Sequence, residues 1–202
     1  EIGHSFAQFA DECWAGNQYA IESVNRSQSA DVNAVPWKYW IGKGGVGIYS
    51  YGGKGSPSTW FRPHEYCKMQ YLVAPFCPVC QEQFVAAIKQ KSNPFIAVKP
   101  VLNNVLQLDS VQKFTLRLAK PSPNTFKLIW SLNNELIAHD IDSIYLDPGM
   151  LRTGTNELKV LIQDTTDLLR NPAYVNHKDS IIWKFNQLTS SALTKPINTW
   201  GD

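Results

Sequence analysis

Hydrophobic spacing divides the chain. Ile2, Phe6, Phe9 and Ala10 recur at helical intervals over residues 2–14, so the opening reads as the end of an amphipathic helix that stops near Gly16-Asn17. From Val35 to Tyr66 that periodicity disappears. Trp37, Tyr39, Trp40, Gly44-Gly45, Gly52-Gly53 and Trp60 crowd this stretch, which predicts loops and short strands held by packed aromatics. Pro78 then occupies a good first helical position, Cys80, Phe84 and Ile88 follow at i, i+4 and i+8, and Lys89 and Lys91 lie near the end. The expectation is a helix over residues 78–91.

Beyond Phe95 the pattern becomes period-two or short and apolar, with turn residues between the runs Phe114–Leu118, Phe126–Leu132, Glu135–Ala138, Ser143–Leu146, Leu158–Gln163 and Ser180–Asn186. That spacing predicts an all-β, immunoglobulin-like sandwich, with Trp130 in its core and a corner around Gly149 and Gly154. No cysteine falls in this part, so its core must rest on apolar packing. The expected organisation is one domain over residues 1–92, the sandwich over 93–190 and a tail over 191–202.

Composition excludes some classes. At 202 residues and 44% hydrophobic the chain can bury a core, so disorder is not expected. Nineteen basic against 17 acidic residues give a net charge of +2 and no polybasic run, which argues against nucleic acid as a partner. No window approaches the roughly eighteen consecutive apolar residues of a membrane span, and the N-terminus lacks a signal-peptide layout. Opening on Glu1 rather than Met, the chain is expected to derive from a longer one. Cys13, Cys67, Cys77 and Cys80 suit either disulfides outside the cell or a structural metal. Asn25-Arg26-Ser27 fits a glycosylation acceptor.

Glu1-Ile2-Gly3-His4 supplies the last four positions of H-E-x-x-H if a histidine precedes Glu1. In that motif two histidines one helical turn apart face one zinc, and the glutamate between them deprotonates the metal-bound water. Alone, a Glu-x-x-His is a common helical surface pair. Here the segment continues Ser5-Phe6-Ala7-Gln8-Phe9-Ala10-Asp11-Glu12 and resembles the active-site helix of the IgA-peptidase family of zinc metallopeptidases, which reads H-E-x-G-H-S-F-x-x-L-A-D-E-Y. Two further blocks agree in order: Phe61-Arg62-Pro63 followed by Cys67-Lys68-Met69, and Phe76-Cys77-Pro78-Val79-Cys80-Gln81, matching that family's Y-R-P…C-x-M-R…F-C-P-V-C. The resemblance spans residues 1–91.

The resemblance implies a metzincin-like α+β catalytic subdomain before the sandwich, with Zn2+ as cofactor, Glu1 as general base and His4 as the second zinc ligand. Asp11 is the expected third ligand, with Glu12 the fallback. Metzincins carry that ligand after H-E-x-x-H-x-x-G-x-x, so Asp11 needs one extra residue in the turn, and Ala7 and Gln8 stand where small residues and glycine are usual. Met69 resembles the Met-turn that floors the zinc site; an ordinary core methionine would look similar. Arg62 could pair with a substrate carboxylate or a structural acid, and His64 could complete the metal site. Cys77-Pro78-Val79-Cys80 has knuckle spacing and, with Cys67 and Cys13, could form a four-cysteine site or disulfides. His139 and His177 are expected to be surface residues.

The function expected from this set is zinc-dependent hydrolysis of peptide bonds in a protein or peptide, by a secreted, cell-surface or periplasmic enzyme. The chain as given lacks the first ligand histidine and is expected to be inactive alone. A non-catalytic role, with the sandwich binding glycan or protein, is the alternative, and a cytosolic four-cysteine zinc ribbon is a third reading.

Overall fold

The computed structural model describes residues 2–102, 105–176 and 178–187. Glu1, His177 and the tail over residues 191–202 lie outside the described residues, so their expected roles are not addressed by it. The chain divides into two units, Glu1–Asn93 with Thr166–Asn176, and Pro94–Thr165 with His177–Asp202.

In the first unit, helix α1 spans Ile2–Ala7 and ends well before Gly16. The periodicity of Phe9 and Ala10 therefore overstates the helix. The break comes at Gln8, which takes φ 58 in the left-handed region, an uncommon conformation for a residue with a Cβ. The Gln8 amide donates to the His4 carbonyl and the Phe9 amide to that of Gly3, both at 3.1 Å, closing the helix end. Phe9 and Ala10 are buried all the same, on a loop rather than a helix.

Strands β1 (Tyr49–Ser50) and β2 (Phe61–Arg62) form a two-stranded antiparallel ribbon amid the expected aromatic loops. Helix α2 spans Pro78–Lys91, opening on its proline and closing on two lysines. Phe84 of α2 packs edge-on to Phe9 and Phe76 at centroid distances of 5.0 and 4.8 Å and stacks with Phe6 at 6.3 Å, so α1, the loop after it and α2 share one aromatic core. Helix α3, Pro172–Val175, also belongs to this unit. Glu82 of α2 secures the segment before it: its carboxylate accepts from the amides of Arg170 and Asn171, and from Trp40 Nε1 at 2.8 Å.

The second unit is a β-sandwich. Strands β3 (Phe95–Lys99), β4 (Gln112–Leu118) and β7 (Ser143–Leu146) form one sheet in the order β3-β4-β7. The other contains β5 (Phe126–Leu132), β6 (Glu135–His139), β8 (Gly154–Asp164) and β9 (Asp179–Gln187), in the order β6-β5-β8-β9. All pairings between these strands are antiparallel. Alternating burial along β5 and β8 turns Leu128, Trp130, Leu132, Leu158, Val160 and Ile162 inward against Phe114 and Leu146 of the facing sheet. Trp130 is fully buried and stacks on Trp183 at 5.9 Å, with its indole N–H donating to the Ile141 carbonyl. The β5–β6 hairpin turns on Asn133 and Asn134, at φ 52 and 69, the handedness that matches strand twist. His139 is exposed, as expected, beside Asp140. Among the described residues no helix is long and apolar enough to cross a membrane.

Candidate metal centres

Two groups of ligand-type side chains lie on either side of one short segment, residues 8–12. The first is His4 with Asp11. His4 Nδ1 lies 2.8 Å from the Phe9 carbonyl, which can only accept, so Nδ1 carries the proton. Its Nε2 faces Asp11 Oδ1 at 3.1 Å. Ring nitrogen and carboxylate could hold a cation between them, and the first nitrogen's bond to a carbonyl is the usual support of a metal-ligating histidine. Both side chains are partly exposed and line a cleft of ≈ 640 Å³ with Tyr19, Ile21, Glu22 and Arg26.

The segment carrying Asp11 is fixed almost residue by residue. The Gln8 carbonyl accepts from Ser23 Oγ at 3.0 Å. Asn25, fully buried, accepts from the Ala10 amide through Oδ1 and donates through Nδ2 to the Ala10 carbonyl at 2.8 Å and to Glu12 Oε1 at 3.0 Å. The Asp11 carbonyl accepts from Tyr51 Oη at 2.9 Å and Arg26 Nη2 at 3.1 Å. Burial raises the Tyr51 pKa above its ordinary value, which keeps the hydroxyl a donor. The Glu12 amide donates to the Met69 carbonyl at 2.9 Å, and the Glu12 carbonyl accepts from Arg62 Nη1 at 2.7 Å.

Met69 lies in a turn closed by the amides of Gln70 and Tyr71 on the Cys67 carbonyl. It packs beneath α1: a Cβ placed on Gly3 would come within 3.0 Å of Met69 Sδ and 2.9 Å of the Phe9 ring. A larger residue here would force the Phe9 ring or the Met69 side chain to shift.

The second group is Glu12, Cys67, Cys77 and Cys80, all buried, with one ligand atom from each within 4.8 Å of every other. Cys77 and Cys80 bracket the start of α2, Cys67 opens the Met69 turn, and Glu12 follows Asp11. Glu12 Oε2 is buried without a hydrogen-bond partner. Burial, reinforced by charge on Cys67, pushes the Glu12 carboxyl up to about 8. Hydrogen bonding among the three cysteines lowers the Cys67 pKa and raises those of Cys77 and Cys80.

Several sequence expectations change here. Glu12 does not share the His4 centre as a fallback ligand; its side chain turns into the cysteine cluster while Asp11 turns to the cleft. Cys13 is exposed and outside the cluster, so Glu12 stands where a fourth cysteine was expected, and the cysteines are free rather than disulfide-bonded. Arg62 donates to the Glu12 carbonyl and lies over the Tyr51 ring, the structural one of its two expected placements. His64 Nδ1 accepts from the Tyr66 amide, and the residue neither lines the cleft nor joins the cysteine cluster. Asn25 is unsuited to glycosylation because its amide is buried and bonded on both sides. Sequence reasoning missed Tyr51, Glu82 and the structural role of Asn25, whose partners lie far along the chain; the rarity of a buried acid on α2 becomes visible only once that burial is seen.

No protein-family model and no curated protein matches the chain. Among solved structures it is similar to one described as "Structures of Clostridium thermocellum CbhA fibronectin(III)-like modules", at 17% identity and TM-score 0.30, over 46% of this chain and 98% of that one.

Proposed function

We propose that the chain is part of a secreted or cell-surface zinc-dependent endopeptidase of the IgA-peptidase type, with the first unit contributing a metzincin-like active site. One observation carries this reading: His4 Nε2 and Asp11 Oδ1 converge at 3.1 Å on an open cleft, with Met69 packed beneath the helix that bears His4. A nitrogen and a carboxylate oxygen facing solvent are the donor types of a catalytic zinc site, which binds ligands at about 2.0–2.2 Å and keeps a position open. His4 and Asp11 would hold zinc, which supplies Lewis acidity for peptide hydrolysis.

The chain's own residues supply the rest. The Phe9 carbonyl fixes the His4 tautomer and presents Nε2 to the metal side. Tyr51 and Arg26 hold the Asp11 backbone, so its carboxylate reaches the centre with little reorganisation. Exposed Tyr19 and Ile21 give the cleft apolar surface of the kind a peptide side chain can cover. Glu1, through the motif resemblance, is the base that accepts a proton from the attacking water. The reading requires a histidine directly ahead of Glu1.

The test is hydrolysis of a fluorogenic peptide library by the full-length protein and its Glu1→Gln variant. A general base acting by proton transfer contributes about 10²–10⁴-fold, so the variant should lose that much kcat and retain zinc. Equal rates in the two proteins, or turnover insensitive to a chelator, would remove the peptidase reading.

A further inference from the structure

We infer that Glu12, Cys67, Cys77 and Cys80 form a second, closed metal centre holding one zinc ion, structural rather than catalytic and independent of the proposed peptidase reading. Distances within the cluster fit a common ion. Sulfurs about 2.3 Å from a tetrahedral zinc lie about 3.7–3.8 Å apart, and a sulfur and a carboxylate oxygen about 3.6 Å apart. Cys67 Sγ to Cys80 Sγ is 3.7 Å, and Cys80 Sγ to Glu12 Oε1 is 3.6 Å. A disulfide needs about 2.05 Å between sulfurs.

The surroundings point the same way. A buried carboxylate oxygen lacks a partner, and such an orphan is costly unless something neutralises it. Three thiols and a carboxylate are a soft, anionic set that selects zinc over calcium or magnesium. Four protein ligands, all buried, leave no open position, which is the mark of a structural site. On loading, the protons that the four ligands carry pass to solvent, and the carboxylate and three thiolates surround the divalent cation with a net charge of −2. The Asn25 amide donates to Glu12 Oε1, and the Cys77 amide to Cys67 Sγ at 3.5 Å, so both bonds favour the charged forms.

This ion would join the loop carrying Asp11 to the turn carrying Met69 and the start of α2, some 55 residues further along the chain. Asp11 is covalently next to one of its ligands, so the inferred role is to lock the residues that shape the cleft.

The intact protein reconstituted with cobalt(II) tests this. Thiolate ligation gives an intense near-ultraviolet charge-transfer band, which nitrogen and oxygen ligands do not. The expected result is that band in wild type and undiminished in His4→Ala, with Cys67, Cys77 and Cys80 resisting alkylation until a chelator is added while Cys13 reacts at once. Two equivalents bound by wild type and one by His4→Ala would support both centres; one equivalent with the band in each would retain this centre and remove the His4 one. Cys80→Ser should abolish the band, but loss of folding would do the same, so the decision rests on the two folded proteins above. Absence of the band in both, ready alkylation of all four thiols in metal-treated folded protein, or a Cys67–Cys80 disulfide found by mass spectrometry would overturn the inference.

Discussion

Asn25 makes four hydrogen bonds from full burial, two with Ala10 and one each with Ser23 and Glu12, and so bears on both candidate centres at once. Asn25→Ala strands the Ala10 amide and carbonyl and takes one of two donors from Glu12 Oε1; at about 1–3 kcal/mol for each buried group left unpaired, a loss of about 2 kcal/mol or more is expected in urea unfolding. Gly3 tests the opposite fault, excess volume. In Gly3→Ala the new methyl would meet the Phe9 ring and Met69 Sδ, and an overpacked core of this kind costs about 1–3 kcal/mol. Unchanged stability in both variants would contradict the packing described.

At the scale of elements, Phe84 joins α2 to α1 and the loop beyond it. Phe84→Ala should cost about 3 kcal/mol in thermal or urea unfolding. How far elements could be read in advance depended on how local their cause was. Helix α2 was legible because proline, apolar residues four apart and terminal lysines all lie within it. Strands β5 and β7 kept their expected bounds, and β8 grew by a few residues at its start, because period-two burial is a property of each strand alone. The end of α1 was not legible: Gln8 carries no helix-stop chemistry, and its left-handed turn is enforced by Ser23, Asn25 and the aromatic core. The same holds for the centres. The residue types at His4, Asp11 and the cysteines were visible, but which of Asp11, Glu12 and Cys13 turns to which side depends on carbonyls held by Arg26, Tyr51 and Arg62, up to 50 residues away.

Across the whole molecule, metal removal should act on one unit. The sandwich contains no residue of either centre, and its core rests on Trp130, Trp183 and their apolar neighbours. Hydrogen exchange after chelation is expected to lose protection over residues 2–93 and 166–176 and to leave the amides of β5, β8 and β9 unchanged. Lower pH should act in the same direction as chelation. Protons compete with the ion for three thiols and carboxylates, so metal content should fall as pH falls, and the stability it contributes should go with it.

The most direct test of the central claim is zinc content per chain, by elemental analysis, in full-length wild type and in the His4→Ala and Asp11→Ala variants, with proteolysis assayed on the same samples. The account predicts that each substitution removes about one zinc together with the activity, leaving the cysteine-bound ion in place. Full zinc retention in both variants, or activity that survives the loss, would contradict a catalytic centre at His4 and Asp11.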